Sequence, residues 1–256
     1  KRSPKQQEMF LAILEKQTEN PEKPIRKSEI FDDGNYSHAQ LKSLIERNLV
    51  QEYFLQKDRL EAYQGDIEEI EKLTDEQFRA KKEIDEAFGE GKNVLLHGVT
   101  SSGKTHIYLE KIEDVVASEK NVLFLLPEIS LTKQIVQRLE KKYGKQLGFY
   151  HQKLTDFERV EVWRRMKNND IKILIGTRNA LFLPFQNLGL IVIDEEHDSA
   201  YKPREVSPYF NAKDAAQILA KFYSANLILG SATPSVESYY LAKKEKLKYV
   251  LLAERF

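Results

Sequence analysis

The chain has 256 residues, enough for a sizeable core and more than one domain. Its 40 basic residues balance 40 acidic ones, so net charge gives no sign of a nucleic-acid partner, which must be argued from local features. Cysteine is absent, which excludes disulfides and thiolate metal sites in this segment and fits a reducing, cytoplasmic setting. No apolar run approaches the roughly 18 residues of a membrane span.

In chain order, Ser3-Pro4-Lys5-Gln6 reads as a capping box with proline at the first helical position. The helix it opens presents Met9, Phe10, Ile13 and Leu14 on one face. Prolines 21 and 24 end it. A short second helix is expected over residues 26–31, followed by a turn at Asp33-Gly34-Asn35. Ser37 and Gln40 form a second capping box, opening a helix with Leu41, Leu44 and Ile45 inward. Residues 49–55 and 59–63 read as two strands. Three short helices and a hairpin are the order of a winged-helix domain, in whose DNA-reading members the third helix enters a groove. That helix offers His38, Gln40, Lys42 and Arg47. Residues 1–64 carry eleven basic and eleven acidic side chains, so the electrostatic footprint of a DNA reader is missing. DNA contact and a spacer or docking role both stay open. Residues 65–72, with Glu68, Glu69 and Glu71, read as a linker to a second domain over 73–256.

Thr74 and Gln77 form a third capping box, on a helix running to about Phe88. Gln77 is also placed to read an adenine edge, and the two roles compete for one side chain. An apolar strand from Val94 then meets Gly98-Val99-Thr100-Ser101-Ser102-Gly103-Lys104-Thr105, which reads G-x-x-x-x-G-K-T. In such a loop the backbone N–H groups and the next helix's positive end surround phosphates. Nucleotide contact is expected from Gly98, Thr100, Ser101, Ser102, Gly103, Lys104 and Thr105. Lys104 would reach the β- and γ-phosphates of ATP, and the Thr105 hydroxyl would ligate Mg²⁺.

Further strands are expected at 121–126, 147–150, 171–175, 190–193 and 227–229. A helix from about Ser130 turns Leu131, Ile135 and Leu139 inward, and Phe157, Val160, Trp163 and Met166 read as a core stripe. The alternation of strands and helices gives an α/β fold with a mostly parallel sheet covered on both faces. Ligands in such sheets lie beyond the carboxyl ends of the strands. There stand Thr177-Arg178, Asp194-Glu195-Glu196-His197 and Ser231-Ala232-Thr233. Asp194 is expected to hold Mg²⁺, and Glu195 to orient and deprotonate water in phosphoryl transfer. A solvated acidic helix start is the competing reading. Ser231 and Thr233 are either caps before Pro234 or links from the nucleotide site to a nucleic-acid track. His106 and His151 read as ordinary polar residues.

Taken together, GVTSSGKT (98–105), LLPEISLT (125–132), IGTRNALFLPF (175–185), IVIDEEHDSAYK (191–202) and GSATPSVESY (230–239) resemble a superfamily 2 helicase. The resemblance is closer to the bacterial primosomal replication-restart helicases, the PriA family. It implies a winged helix before a RecA-like P-loop NTPase lobe, the first of two lobes in a DNA-dependent ATPase moving 3′ to 5′ at stalled forks. It implies ATP and Mg²⁺ as cofactors, and forked or single-stranded DNA, single-stranded DNA-binding protein and primosome proteins as partners. The protein is expected to act as a monomer, away from membranes. Lys104 and Thr105 fall on Walker A, Asp194 and Glu195 on Walker B, and Gln77 on the glutamine motif. Thr177, Arg178 and the 127–132 segment with Thr132 are expected to touch the DNA backbone. Tyr201, Tyr209 and Phe210 lie in the aromatic-rich loop that couples DNA binding to hydrolysis, and are expected to stack on bases or on the protein.

Ser101 replaces the family's usual glycine, which is tolerable only where φ > 0 is not needed. His106 stands for glutamate, and Pro203 and Pro208 make the loop atypical. The family's second lobe with its arginine finger, its zinc insert and its 3′-end-binding domain are expected outside this segment. Zinc is therefore expected only there, and the segment alone is expected to bind nucleotide weakly and hydrolyse little. The alternative is a P-loop ATP switch with a docking winged helix and no unwinding.

Overall fold

The computed structural model describes residues 4–19, 25, 27–31, 36–47, 49–51, 73–127, 133–202 and 209–255. The chain divides into two compact units, Lys1–Glu61 and Ala62–Phe256.

The first unit contains α1 (Pro4–Glu19), α2 (Lys27–Phe31) and α3 (His38–Glu46). Proline does stand first in α1, where its missing N–H costs nothing. Gln40 accepts the Ser37 N–H at 2.8 Å, as the capping box requires. Met9, Leu41 and Leu44 form the buried centre, with Phe10, Ile13, Ile30, Phe31, Tyr36, Ile45 and Val50 packed around them. Leu14, expected inward, is exposed. It lies five positions after Met9, roughly 140° around the helix, so the core centred on Met9 does not reach it. Residues 49–51 are a bend rather than the start of a strand. The rest of the expected hairpin and the linker 65–72 lie outside the described residues.

In the second unit α4 (Asp75–Gly89) leads into β1 (Val94–Gly98) and α5 (Lys104–Ala117). There follow β2 (Asn121–Leu125), α6 (Lys133–Tyr143), β3 (Leu147–Tyr150), α7 (Asp156–Lys167) and β4 (Ile173–Gly176). The unit closes with β5 (Leu188–Ile193), α8 (Ala212–Tyr223), β6 (Asn226–Ser231), α9 (Val236–Lys243) and β7 (Lys248–Leu252). The strands form one sheet in the order β3-β4-β2-β5-β6-β1-β7. Every neighbouring pair is parallel. This is the RecA-like α/β arrangement.

Alternation along each strand sends successive side chains to opposite faces. Leu96, Val122, Phe124, Ile175 and Val192 join Ile84 of α4, Ile107 and Ile112 of α5 and Leu139 of α6 on one face. Leu95, Leu123, Leu174 and Ile191 join Met166 of α7 and Ala216 and Ala220 of α8 on the other. Burying each large aliphatic side chain in this way contributes about 1.5–3 kcal/mol. Both faces are therefore closed, and chemistry is left to the ends of the strands.

Two expectations fail here. Of the stripe on α7 only Met166 is buried, while Phe157, Val160 and Trp163 are exposed. The helix packs through Val162 and Met166 instead. It lies over the edge strand β3, so there is too little sheet beneath it to cover a wide stripe. Conversely, β7 was not expected from the sequence. It pairs with β1 along its whole length, from Val94 opposite Lys248 to Gly98 opposite Leu252. Among the described residues no helix is long and apolar enough to cross a membrane.

Candidate nucleotide site at the carboxyl end of the sheet

The loop between β1 and α5 bends back over the end of β1. Ser102 N–H donates to Val99 O at 3.1 Å, and Val99 N–H to Leu252 O at 3.2 Å. Gly103, at φ 81, is the N-cap of α5. A side chain there would collide with the Gln77 amide, since a Cβ would stand 2.0 Å from Gln77 Nε2. Gly98 is as confined, its Cβ position lying 2.5 Å from Ser102 Oγ. The fully folded loop thus needs glycine at both ends for close approach.

Gln77 is buried and takes the capping role. Its Oε1 accepts the Thr74 N–H at 3.1 Å, completing the cap, while Nε2 donates to Ser102 O at 3.4 Å. The amide has two ends, so capping α4 and touching the loop are compatible. Glu76 holds the Ala253 and Glu254 N–H groups, and Arg79 the Leu251 carbonyl. In this way α4 ties the end of β7 beside the loop.

Lys104 is buried and turns into the loop, donating to Gly98 O at 2.7 Å and Val99 O at 3.3 Å. Thr105, beside it, is half-buried, and Thr100 and Ser101 are exposed. Ser102 Oγ is buried without a hydrogen-bond partner among the described residues.

At the end of β5, Asp194 accepts a hydrogen bond from Tyr108 of α5 at 3.0 Å through Oδ1. Its backbone carbonyl accepts from the Tyr201 hydroxyl at 2.8 Å. Burial, reinforced by the Glu195 charge, raises the Asp194 carboxyl above its ordinary pKa. Burial likewise pushes both tyrosines up, with Asp194 adding to it, so they stay protonated donors. Tyr108 was not anticipated: an aromatic one turn after Lys104 reads as core, and its ring does stack edge-on against Phe124. Only the hydroxyl, lying where a Cβ on Gly230 would be, belongs to the site.

Glu195 adopts φ 48, and its carboxylate is 41% exposed, 3.5 Å from His197 Nδ1. The same imidazole nitrogen lies 2.8 Å from Ser231 Oγ, which also accepts the Thr233 N–H at 2.9 Å. Ser231 is thus a buried link between the acidic loop and the β6 loop. Neither it nor the exposed Thr233 caps α9; that residue is Ser235, which accepts the Ser238 N–H. Glu196 turns away from the cleft and is fully buried against Lys213, at 2.7 Å. Burial opposes its charge, but Lys213, the Ser235 N–H and Ser238 outweigh it and hold its pKa below the usual value.

Thr177 and Arg178 lie apart, at the end of β4, with β2 between that strand and β5. Thr177 Oγ1 and Arg178 Nη1 are buried without partners among the described residues. Arg178 lies over the Phe210 ring at 5.4 Å, and Phe210 stacks edge-on with Phe182. Tyr201 is buried, so in this conformation it stacks on no base; Tyr209 is exposed. Thr132, with Pro203 and Pro208, falls outside the described residues.

A P-loop after β1 and an acidic loop after β5, at the same edge of a parallel sheet with β6 between the two strands, define a broad class. Within it, the model of the DEAD/DEAH box helicases matches residues 74–241, more than half of the chain. The chain belongs to the DEAD/DEAH box helicase family. It is 41% identical over 233 residues to the replication restart protein PriA of Bacillus subtilis, covering 89% of this chain and 29% of that protein. It is 36% identical over 252 residues to its counterpart in Chlamydia muridarum, covering 96% and 33%. The chain thus spans about a third of the length of these curated relatives. In fold it is similar to RecG bound to a three-way DNA junction, with TM-score 0.52, 21% identity, and 98% of this chain and 30% of that one covered. The DUF1998 helicase MrfA bound to DNA gives TM-score 0.51 at 18% identity, with 72% and 27% covered.

Within this helicase lobe, Ser101 departs from expectation. It was tolerable on condition that φ stay negative, yet it stands at φ 63. A left-handed backbone costs an L-residue about 1–2 kcal/mol. Glycine removes that strain while losing about 0.5–1 kcal/mol of chain entropy. Ser101→Gly is therefore expected to stabilise the lobe by about 0.5–1 kcal/mol, read as a rise in urea midpoint at constant slope. An unchanged or lower midpoint would count against a strained loop.

Proposed function

We propose that the chain is the winged-helix domain (residues 1–64) and first RecA-like lobe of an ATP-dependent DNA helicase acting 3′ to 5′ in replication restart. The observation that carries this reading is the hydrogen bond that joins the two loops: Tyr108, one turn of α5 after Lys104, holds Asp194 at the carboxyl end of β5, next to Glu195. Forked or single-stranded DNA is the substrate, with single-stranded DNA-binding protein and primosome proteins as partners of a cytoplasmic monomer. Names and lengths of the relatives support that assignment.

The residues fit ATP and Mg²⁺. Lys104 supplies a cation at the N-terminus of α5, and Ser102 Oγ is a buried polar atom without a partner among the described residues. Thr105 and Asp194 are the hard oxygen donors Mg²⁺ takes, with phosphate and water completing its coordination. Mg²⁺, when bound, neutralises charge developing on the transferred phosphoryl group. Lys104 would exchange its loop carbonyls for phosphate oxygens. Glu195 would accept a proton from the attacking water. Gln77 would have to release its amide from Thr74 and Ser102 to meet adenine, and Ser231 would connect the acidic loop to the DNA side through His197. Thr132, Thr177 and Arg178 would meet the backbone of a DNA strand, Arg178 using Nη1, which has no partner among the described residues.

Unwinding and ATP hydrolysis by the full-length protein on forked DNA, beside a version lacking residues 1–64, test the reading. DNA-stimulated hydrolysis with strand separation is expected from the full-length protein. Hydrolysis without strand separation would point to an ATP switch. The Tyr108→Phe variant removes only the hydroxyl that fixes Asp194. Groups that orient metal ligands are typically worth about 10–100-fold in metal affinity or activity. The Mg²⁺ concentration for half-maximal nucleotide binding is therefore expected to rise about tenfold, with metal-free nucleotide binding unchanged. Equal Mg²⁺ dependence in variant and parent would remove Tyr108 from the site.

A further inference from the structure

Glu195 is the residue of the acidic loop whose direction matters most, and it stands at φ 48, a left-handed backbone that a glutamate disfavours. Such a conformation persists only where the surroundings over-determine it. On its N-terminal side Asp194 is fixed by its N–H to Leu125 O at 3.0 Å and by the two tyrosines. On its C-terminal side Glu196 donates its N–H to Gly230 O at 2.9 Å, and Asp198 N–H closes the turn on Glu195 O at 2.8 Å.

The side chain of Glu196 completes the second anchor. It has no exposed surface and accepts from Lys213 Nζ at 2.7 Å, Ser235 N–H at 2.6 Å, Ser235 Oγ at 3.0 Å and Ser238 Oγ at 2.8 Å. Lys213 also reaches Ser235 Oγ at 2.8 Å and Ser238 Oγ at 3.5 Å, so its three donors are all engaged. Lys213 is the second residue of α8 and Ser235 the N-cap of α9. The starts of two helices thus converge on one carboxylate, adjacent in sequence to Glu195. A surface lysine elsewhere on a helix gives no such arrangement.

We propose that Lys213 is a positioning residue for ATP hydrolysis: by clamping Glu196 to the start of α9 it holds the left-handed turn that aims the Glu195 carboxylate into the cleft. Lys213 acts only through this turn. The proposal rests on the hydrolytic reading above. It also makes the position of α8, which follows the loop ending at Asn211, a determinant of the turnover rate.

The test uses the full-length protein. Lys213→Met is expected to lower kcat for ATP about 10- to 100-fold, the scale of a small misplacement of a catalytic group. KM for ATP should stay within about twofold, because the phosphate loop is untouched. Hydrogen exchange at the Asp198 amide should speed up, since the turn it closes is loosened. Lys213→Met leaves a buried carboxylate unpaired and can fail to fold, so the double variant Glu196→Gln with Lys213→Met is measured beside it. With no charge left unpaired, that protein should unfold near the parent temperature by calorimetry yet keep the low kcat. A folded double variant with parental kcat, or parental exchange at Asp198, would overturn the proposal. Absence of ATP hydrolysis in the parent itself would instead overturn the reading on which it rests.

Discussion

Replacing Glu195 with glutamine is expected to lower kcat for ATP by about a thousandfold in the full-length protein while leaving nucleotide affinity within a few fold. The expectation follows from what the side chain does and does not hold. Its carboxylate is 41% exposed and lies 3.5 Å from the His197 imidazole. Glutamine has the same shape and can still orient a water, but cannot take its proton, a function worth about 10²–10⁴-fold. Lys104 and the loop amides, which would carry the affinity, lie on a different element. A partly exposed substitution of equal size should also change stability by no more than about 0.5 kcal/mol. Steady-state hydrolysis beside equilibrium binding of ATP makes the check. Retained turnover would mean that another group positions the water, and the assignment of Glu195 would have to be given up.

The neighbouring glutamate should behave in the opposite way. Glu196→Ala is expected to destabilise the second unit by about 3–5 kcal/mol, because it strands the Lys213 cation, whose side chain is only 12% exposed, and frees the Ser235 N–H as well. For a unit of this size that corresponds to a melting temperature lower by roughly 6–20 °C. The single tryptophan, Trp163, lies in this unit and reports its unfolding. Replacing Glu196 and Lys213 together by leucine and methionine should recover most of the loss, since well-packed apolar pairs often match buried ion pairs. A shift of less than about 3 °C for Glu196→Ala would show that the cation finds water and that the pair is not sealed. Of the two adjacent glutamates, Glu195 is thus read in turnover with stability unchanged, whereas loss of Glu196 shows first in stability.

Much of this was legible because it is local or periodic. Apolar runs of strand length, each ending in a polar cluster, can satisfy their backbone only as a parallel sheet with both faces covered. Its ligands must then lie at the carboxyl ends, where Lys104, Asp194, Glu195 and Ser231 were indeed found. The capping boxes at Ser37 and Thr74 were equally readable, since each is settled within four residues.

What the sequence could not decide depends on neighbours distant along the chain. The α7 stripe has helical spacing, but whether a stripe is core depends on how much sheet lies beneath it, and β3 is an edge. The backbone sign at Ser101 is set by the path of the whole loop, not by the residue. Neither Tyr108 nor Lys213 was singled out from the sequence. Their roles exist only because folding brings α5 against β5 and the starts of α8 and α9 to Glu196. The chain by itself determined that a triphosphate-binding α/β lobe would form and which carboxylates would stand at its edge, because strand periodicity and loop composition act over a few residues. Only the tertiary structure decided how those carboxylates are held, because hydrogen bonds spanning up to 86 positions fix their direction.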